Sequence, residues 1–272
     1  MTDLTFEAVT YRYPRGGALA LDRIDLRIPA GQRVALVGQN GSGKTTLVRH
    51  LNGLLRPTSG RVLHDGADVA GRTVAQLARS VGLAFQDPDR QIFAGSVRSE
   101  VEFGPRNLGM RGSALRAAVD GALAEVGLEA EAGTNPYDLG ASRRKLLALA
   151  SVQAMGTPVL VLDEPTTGQD RRGVEIVQRV VEAAHTAGRT VIAISHDMEF
   201  VAGAFDRVVV LRAGKVILHG TPSSVFAQAS WEALRSTYLE PPPSSVIGSK
   251  LGLGGTPTEG ALLAALAARP AG

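Results

Sequence analysis

The chain has 272 residues, of which 44% are hydrophobic, and its 29 basic and 26 acidic side chains give a formal charge of +3. This composition predicts a globular protein with a sizeable core, and so small a positive excess argues against direct binding to nucleic acid. The absence of Cys excludes disulfides, thiolate metal sites and a cysteine nucleophile. No apolar run reaches the ~20 residues needed to span a bilayer, and the first residues lack the apolar core of a signal peptide, so we expect work at a membrane to require a docking partner.

The first part of the chain predicts two antiparallel strands, followed by a strand, a loop and a helix. LTFEAVTYRY, which begins at Leu4, and ALDRIDLRI, which begins at Ala20, alternate polar and apolar residues, as strands with one solvated face do. RVALVG ends at Gly38 and is a short run of β-forming residues. After a Gly-rich turn comes TTLVRHLNGLL, in which Leu47 and Leu51 have helical spacing. A phosphate-binding loop requires this order of elements.

The Gly-rich turn GQNGSGKT matches the phosphate-binding pattern GxxxxGK(S/T). Gly41 and Gly43 allow backbone amides to converge on phosphate oxygens, and the helix N-terminus adds its dipole. We expect Lys44 to reach the β and γ phosphates and Thr45 to bind Mg²⁺. The predicted nucleotide-binding residues of this segment are Gly38, Gln39, Asn40, Gly41, Ser42, Gly43, Lys44, Thr45 and Thr46.

Four further runs, SVGLAFQ, PVLVLDE, TVIAIS and RVVVLRAG, predict strands. The second and third are almost continuously apolar, as in a parallel sheet that is covered on both faces. No convincing strand lies between about 87 and 158, where SALRAAVDGALAEVGL places Leu115, Val119, Leu123 and Val126 on one helical face. We therefore predict an α/β fold: a P-loop NTPase core with a mainly parallel sheet, a small antiparallel β subdomain and an inserted α-helical subdomain.

The chain after about Gly220 is predicted to leave this core as a short helical extension. Thr221, followed by a proline, begins a helix in TPSSVFAQASWEALRSTYL, and the prolines at 241–243 end it. Thr256 as N-cap, with Glu259 completing a capping box, begins another helix. We predict two short helices joined by a Pro/Gly/Ser-rich linker. The predicted division of the chain is 1–220 and 221–272.

Candidate catalytic side chains follow the predicted strands of the core. VLVLDE places Asp163 and Glu164 at the C-terminal edge of a buried strand, where open α/β sheets bind ligands. Beside a phosphate-binding loop, we expect Asp163 to hold the metal and Glu164 to polarise the attacking water. His196 ends the next strand, beside the expected γ phosphate, and Gln86 occupies the equivalent edge of another. The predicted catalytic residues are Lys44, Glu164 and His196.

These motifs in this order resemble the nucleotide-binding subunit of ATP-binding cassette (ABC) transporters, from about Leu4 to Gly220. The resemblance implies ATP hydrolysis with Mg²⁺ at a dimer interface. It implies that Tyr13 stacks on adenine, although the nearby Tyr11 is an alternative and either ring could serve for packing. It also implies that Gln86 contacts Mg²⁺ and couples to the membrane subunit, and that Asp170, in the D-loop TTGQD, reaches the second ATPase subunit. The implied metal-binding residues are Thr45, Gln86 and Asp163.

A narrower resemblance rests on FQDPDRQIFAGSVRSEVEFGPRNLGM, which begins at Phe85, and on the tail. The chain is similar to the ATPase subunit of energy-coupling factor importers, which take up vitamins and cobalt or nickel ions. The resemblance places Gln91 in an extra Gln-containing helix. It implies a second ATPase, a transmembrane coupling subunit and a small substrate-binding membrane subunit, with this chain peripheral at the cytoplasmic face of the membrane.

Two other members of the wider family are alternatives. One is the ATPase of an ordinary importer. The other is a soluble ABC ATPase that acts on DNA or ribosomes. The long coiled coils of the chromosomal and repair proteins are absent between the phosphate-binding loop and Asp163, and ribosomal members usually carry two cassettes per chain, so the transport function is favoured.

Leu139 lies 24 residues before Asp163, as the leucine of the signature LSGGQ does in ordinary cassettes, so LGASR is its positional equivalent. The resemblance implies that this segment closes over the γ phosphate bound by the opposite subunit. The added Cβ atoms predict poorer closure there, and hence a different partner chain with a consensus signature. Ser142 is expected to cap the following helix. Arg143 or Arg144 either adds charge at the phosphate or forms a solvated helix face. The signature residues are Gly140, Ala141, Ser142 and Arg143.

Overall fold

The computed structural model describes residues 2–14 and 17–268. Its larger sheet has six strands in the order β10-β9-β3-β8-β7-β6, and its smaller sheet has four in the order β2-β1-β4-β5. The strands are β1 (Leu4–Tyr11), β2 (Leu21–Ile28), β3 (Arg33–Val37), β4 (Ser59–His64), β5 (Ala67–Asp68), β6 (Val81–Ala84), β7 (Val159–Asp163), β8 (Thr190–Ile194), β9 (Arg207–Arg212) and β10 (Lys215–Gly220).

The helices connect and cover these sheets. They are α1 (Lys44–Leu51), α2 (Val74–Leu77), α3 (Val97–Asn107), α4 (Gly112–Val126), α5 (Ala141–Gln153), α6 (Arg171–Thr186), α7 (Met198–Ala204), α8 (Pro222–Val225), α9 (Trp231–Arg235), α10 (Pro243–Lys250) and α11 (Glu259–Ala267). Short 3₁₀ turns lie at Pro88–Arg90, Pro136–Asp138 and Gln228–Ser230. No helix within the described ranges is both long and apolar enough to cross a membrane.

The six-stranded sheet confirms the predicted α/β core. Strands β3, β6, β7, β8 and β9 pair in parallel, and only β10 pairs antiparallel with its neighbour. Every residue of β7 and β8 is buried, which explains their continuous apolar sequences, because helices cover both faces of a parallel sheet. Parallel strands end at one edge, and the side chains that follow β3, β7 and β8 meet there.

The four-stranded sheet is antiparallel, as its alternating sequence predicts. Its inward residues, among them Leu4, Phe6 and Ile28, share one apolar cluster with Leu47 and Leu51 of α1. The small sheet therefore packs behind the helix that follows the phosphate-binding loop. This packing fixes the position of that helix relative to β3.

The predicted helical subdomain is also present, because residues 87 to 158 contain helices and turns between β6 and β7. In α4 the predicted apolar face is the buried one, formed by Leu115, Val119, Leu123 and Val126. Helices α3, α4 and α5 pack on one another through this face, and α5 also contacts β6 and β7. Helix α5 thus connects the helical subdomain to the central sheet.

The tail differs from the prediction, because its first part stays in the core. Val225, Phe226, Leu234 and Leu239 are buried in the main apolar cluster of the chain. Their burial depends on pairing with surfaces far away in sequence, which a Pro- and Ser-rich composition does not reveal. Residues 221 to 239 therefore complete the cassette core in this structure.

The structure also corrects two local predictions for the tail. The predicted first helix is divided into α8 and α9, and the predicted linker contains α10, where Pro243 occupies the first position and needs no N–H partner. Helix α11 is capped by Thr258, whose hydroxyl accepts a hydrogen bond from the Ala261 N–H at 3.2 Å. Thr256 is buried instead and donates to the Ser244 carbonyl at 2.8 Å.

Candidate active site

The phosphate-binding loop lies between β3 and α1 and presses closely against β9. Gly38 has a φ of 142°, and a Cβ at this position would lie 2.1 Å from the Leu211 carbonyl oxygen. Any side chain would therefore push the loop away from the sheet. The first glycine of the sequence pattern is needed for this close backbone approach.

Lys44 is buried and its ammonium lies inside the curve of the loop. Its Nζ donates to the Gly38 carbonyl at 2.5 Å and to the Gln39 carbonyl at 3.0 Å. Burial lowers the pKa of Lys44, and the nearby charges of Glu164 and Asp163 oppose that shift. The loop backbone thus holds the ammonium where it can face an anionic ligand.

Glu164 directly follows β7 and is held from three directions. Its φ is 52°, a left-handed conformation that costs a non-glycine residue roughly 1–2 kcal/mol, and its N–H donates to the Ile194 carbonyl at 2.9 Å. His196 Nε2 lies 3.1 Å from Glu164 Oε1, and Thr167 Oγ1 donates to Glu164 Oε2 at 3.2 Å. The carboxylate therefore has one defined direction at the edge of the sheet.

Burial dominates the electrostatics of these groups. It raises the pKa of Glu164, while the Thr167 hydrogen bond and the charge of Lys44 partly oppose the shift. It also raises the pKa of Asp163, against the Thr45 hydroxyl. For His196, burial and the Lys44 charge both lower the pKa. A neutral His196 imidazole that carries its proton on Nε2 can donate to Glu164.

The remaining predicted ligand-binding residues lie around the same cavity, which has a volume of about 560 Å³. Thr45 Oγ1 and Asp163 Oδ1 are 3.5 Å apart. The Tyr13 hydroxyl lies 3.0 Å from Thr46 Oγ1, whereas Tyr11 is buried and packs edge-on against the His50 ring. The cavity is lined by Tyr13, Asn40, Gly41, Ser42, Gly43, Lys44, Thr45, Thr46, Gln86, Asp163, Glu164 and His196, with Ala20, Thr167 and Ile194.

The sequence of these elements matches a known protein family. Residues 21–167, which include the phosphate-binding loop and both carboxylates, match the family described as "ABC transporter". The chain belongs to the ABC transporter family. It is an ATP-binding subunit, an ATPase that couples ATP hydrolysis to transport.

Similar proteins support this assignment. A putative ABC transporter ATP-binding protein of Methanosarcina acetivorans is 43% identical over 87% of this chain, and the match spans 38% of that longer protein. The energy-coupling factor transporter ATP-binding protein EcfA2 of Symbiobacterium thermophilum is 39% identical over 91% of this chain and 88% of its own. The structure of cbiO1 from Clostridium perfringens, described as part of the ABC transporter complex cbiONQ, is 35% identical, covers 92% of this chain and 98% of its own, and has a TM-score of 0.75.

In this ABC ATPase the signature turn, residues 139–145, lies outside the cavity. Gly140 is the N-cap of α5 and Ala141 is its first residue, so the prediction that Ser142 caps the helix is wrong. The Ser142 hydroxyl instead donates to Gln169 Oε1 at 2.7 Å, and Gln169 Nε2 donates to the Ser142 carbonyl at 3.1 Å. Asp170 caps α6 by accepting from the Gly173 N–H at 2.8 Å.

Both arginines of the signature turn are paired within the chain. Arg143 lies 2.6 Å from a Glu131 carboxylate oxygen and donates to the Gly127 carbonyl at 3.0 Å. Arg144 donates to the Leu139 carbonyl at 2.6 Å and lies 3.1 Å from Asp89. These contacts are all within one chain, and a contribution of either arginine to a partner's phosphate stays a prediction.

Sequence reasoning missed Thr167, Gln169 and Lys145. Thr167 and Gln169 belong to TTGQD, and Lys145 follows the two arginines, so all three lie in or beside quoted motifs. Their contacts join segments that are more than twenty residues apart, as in the hydrogen bond of 2.8 Å from Lys145 Nζ to the Thr167 carbonyl. No periodicity or spacing in the sequence indicates such a pair.

A second cavity, of about 580 Å³, lies between α2 and the helical subdomain. Phe93 and Phe103 at this groove are 60% and 49% exposed, and their rings pack edge-on at 4.6 Å. Gln91 also lines it, immediately after a 3₁₀ turn rather than within a helix. Its Nε2 donates to the Ala148 carbonyl and to Ser151 Oγ, both at 2.8 Å, so it ties this segment to α5.

Proposed function

We propose that this ABC ATPase is the ATP-hydrolysing subunit of an energy-coupling factor importer for a vitamin or a transition-metal ion. The similarity to EcfA2 over most of both chains supports this proposal, as does the likeness to cbiO1. In this function the chain is peripheral at the cytoplasmic face of the membrane. Its partners are a second ATPase, a transmembrane coupling subunit and a small substrate-binding membrane subunit.

The observation that carries the enzymatic part of the proposal is the fixed carboxylate of Glu164. It is buried, it is held between His196 and Thr167, and it lies at the cavity that contains the Lys44 ammonium. In the proposed reaction Glu164 orients the attacking water and takes its proton. A general base works best when its pKa is near the working pH, and burial shifts the pKa of Glu164 in that direction.

The other site residues have supporting roles in this proposal. Lys44 and the loop amides from Gly38 to Thr46 bind the β and γ phosphates. His196 contacts the γ phosphate and holds Glu164 in place. Tyr13, exposed at the edge of the cavity, stacks on the adenine ring.

The donors at the cavity fit Mg²⁺. Thr45 Oγ1 and Asp163 Oδ1 are hard oxygen donors 3.5 Å apart, and Mg²⁺ in nucleotide sites commonly takes one or two protein oxygens together with water and phosphate. We propose that Thr45 and Asp163 hold the ion, with a contribution from Gln86, which lines the same cavity. The bound ion supplies neutralisation of charge that develops on the phosphates.

We propose the groove at Phe93 and Phe103 as the docking site of the transmembrane coupling subunit. Its occupant would be a short apolar segment of that subunit, because the two exposed rings offer apolar edges to a partner. The groove adjoins the segment from Gln86 to Gln91, and Gln86 also lines the nucleotide cavity. Movement of this segment would connect ATP binding to the membrane subunit.

The signature turn supports a partnership with a different ATPase chain. Gly140, Ala141, Ser142 and Arg143 replace the signature residues that would close the partner's nucleotide site, and Ser142 and Arg143 are bonded within this chain. Asp170 would meet the partner at the same interface. A partner with a consensus signature would complete the site of this chain fully.

Affinity purification of the full chain from detergent-solubilised membranes tests this function. We expect a second ATPase, a large integral membrane subunit and a small integral membrane protein, and ATP-dependent uptake of a vitamin or metal ion when the complex is placed in liposomes. Recovery of a separate soluble binding protein in place of the small membrane subunit would indicate an ordinary importer. Recovery of ribosomes or DNA without membrane proteins would contradict the proposal.

A substitution in the groove tests the proposed docking site separately. Phe103→Glu should reduce recovery of the transmembrane subunit, because it places a charge on the apolar contact surface. Tyr238→Glu is the matched control, since Tyr238 is 87% exposed and lies in the tail. Equal recovery with the two variants would remove the groove from the proposal.

A further inference from the structure

The signature turn is bonded to the D-loop, residues 166–170, of the same chain. Lys145 Nζ donates to the Thr167 carbonyl at 2.8 Å. Ser142 and Gln169 exchange two hydrogen bonds, at 2.7 Å and 3.1 Å. Three hydrogen bonds therefore join the start of α5 to the loop that follows Glu164.

The Gln169 side chain occupies the space beside Gly173. A Cβ on Gly173, in the first turn of α6, would lie 2.2 Å from Gln169 Oε1. Gly173 is the residue whose N–H is capped by Asp170. A glycine at this position leaves room for the Gln169 side chain to reach Ser142 while α6 remains capped.

The D-loop in turn contacts the carboxylate of Glu164. The hydroxyl of Thr167 donates to Glu164 Oε2, while its carbonyl accepts from Lys145. Glu164 has the left-handed backbone described above, so its side-chain direction depends on these neighbours and on His196. Thr167 thus contacts both Lys145 and Glu164.

The charges around Lys145 favour the same arrangement. Its ammonium is partly buried and experiences the negative charges of Glu164, Asp163 and Asp87, which favour its charged form against the cost of burial. A charged donor forms a stronger hydrogen bond to a carbonyl than a neutral donor does. The Thr167 backbone is therefore anchored by a cation whose charged form the nearby carboxylates favour.

We propose that Thr167, anchored by Lys145, is a positioning residue for Glu164, and that the Ser142–Gln169 pair fixes the signature turn to this arrangement. The altered signature then serves the nucleotide site of its own chain as well as that of the partner. This inference rests on the proposed role of Glu164 as the base. It adds to the sequence-based expectation, in which the changed signature gives poorer closure of the partner's site.

The first test replaces the Thr167 hydroxyl in the purified, assembled complex. Thr167→Val should lower kcat by roughly 10- to 150-fold, as expected for loss of a hydrogen bond to a charged group, and leave the KM for ATP unchanged. Thr167→Ser should restore kcat. Thr186→Val, at the far end of α6, is the control.

The second test replaces the anchor. Lys145→Met should lower kcat and leave the KM for ATP unchanged, and Lys145→Arg should recover part of the loss. If the two residues act in series, the variant with both Thr167→Val and Lys145→Met loses little more than Thr167→Val alone. Lys250→Met, an exposed residue of α10, controls for the change of side-chain type.

Parallel measurement of Glu164→Gln separates this inference from the proposed function. If Glu164→Gln retains full hydrolysis, the proposed role of Glu164 fails. If Glu164→Gln is inactive while Thr167→Val keeps the kcat of the wild type, only the positioning role fails. A loss in Thr167→Val that Thr167→Ser does not restore, or strictly additive losses in the double variant, also overturns it.

Discussion

The nucleotide cavity and the signature turn use their polar side chains in opposite ways. At the cavity, Lys44, Asp163 and Glu164 are bound on one side by the chain and face a common space on the other. In the signature turn, Ser142 and Arg143 bind Gln169 and Glu131 of the same chain. The first arrangement is prepared for a ligand, whereas the second stabilises the connection between the helical subdomain and the core. The nucleotide cavity therefore has free polar groups for a ligand, whereas Ser142 and Arg143 are bonded within the chain.

The largest effect should come from the cavity. Glu164→Gln should lower turnover by roughly 10²- to 10⁴-fold, the usual range for a positioned general base, because an amide cannot accept the proton. ATP affinity should change little, since Lys44 and the loop remain. Steady-state hydrolysis and equilibrium ATP binding by the assembled complex test this, with Glu199→Gln, an exposed residue of α7, as control. Unchanged turnover would remove Glu164 from the mechanism.

The next largest effect should appear when the phosphate-binding lysine of each nucleotide site is replaced in turn. In a complex with a consensus partner, Lys44→Ala should remove most of the hydrolysis, because the site on this chain is closed by the intact signature. The corresponding lysine variant of the partner should cost only a few-fold. Loss of a well-placed donor to a transferring group costs roughly 3–4 kcal/mol, so the site closed by this altered signature should already be slow.

Steady-state hydrolysis by the two single-lysine variants distinguishes the models. Equal losses would contradict the asymmetry and would mean that both sites turn over alike. In that case, restoring LSGGQ at residues 139–143 should accelerate nothing. If the asymmetry holds, that restoration should accelerate the partner's site, at the cost of the Ser142–Gln169 bonds in this chain.

The cavity residues could be predicted from sequence because their positions follow from local rules. Strands β3, β7 and β8 are parallel and end at one edge, so a Gly-rich loop, two carboxylates and a histidine after those strands must meet. The strand content, the antiparallel subdomain and the buried face of α4 follow from apolar periodicity in the same way.

The contacts of the signature turn could not be predicted, because they depend on which distant backbone lies within reach of a long side chain. Lys145 and Thr167 are separated by 22 residues, and either could have faced solvent. The tail shows the same limit. Phe226 and Leu234 are buried in the main apolar cluster, whereas the sequence predicts only that their segment is helical and leaves the core.

A smaller effect is expected on the free energy of unfolding, through the buried side chain of His64. His64, at the end of β4, is buried, and this burial lowers its pKa to about 4, with the Arg72 charge adding to the shift and Asp65 opposing it. An unfolded chain binds this proton near pH 6.5, so between about 6.5 and 4 the unfolded state holds more protons. Stability should therefore fall as the pH falls through this window, by about 3 kcal/mol from this residue, and no further below it.

Urea unfolding between pH 7 and pH 4 measures this contribution. His64→Leu should flatten the pH dependence relative to the wild type, whatever its effect on stability at pH 7. His219→Gln, an exposed histidine of β10, should keep the slope of the wild type. If His64→Leu and the wild type lose stability in parallel, His64 is not the group responsible.

The smallest effect should come from Arg143, the residue in place of the signature glutamine. Its side chain and that of Glu131 are 44% and 28% exposed, and ion pairs so accessible to solvent contribute roughly 0.2–1 kcal/mol. Arg143→Met should therefore lower the free energy of unfolding by no more than about 1 kcal/mol, with a smaller difference at high salt. Glu131→Gln should have a similar effect, and the two changes together should cost less than their sum, because each removes the same interaction.

Turnover measurements on the same two variants separate a structural role of Arg143 from a role at the partner's phosphate. If Arg143 served the partner's phosphate, Arg143→Met would slow the assembled complex strongly while Glu131→Gln, which frees the guanidinium, would speed it. The contacts of Arg143 with Glu131 and the Gly127 carbonyl favour the structural role, so both variants should retain hydrolysis within about two-fold of each other. A large difference in turnover between them would mean that the arginine leaves its intramolecular partners when the dimer closes, and the division between the two regions would then apply only to the isolated chain.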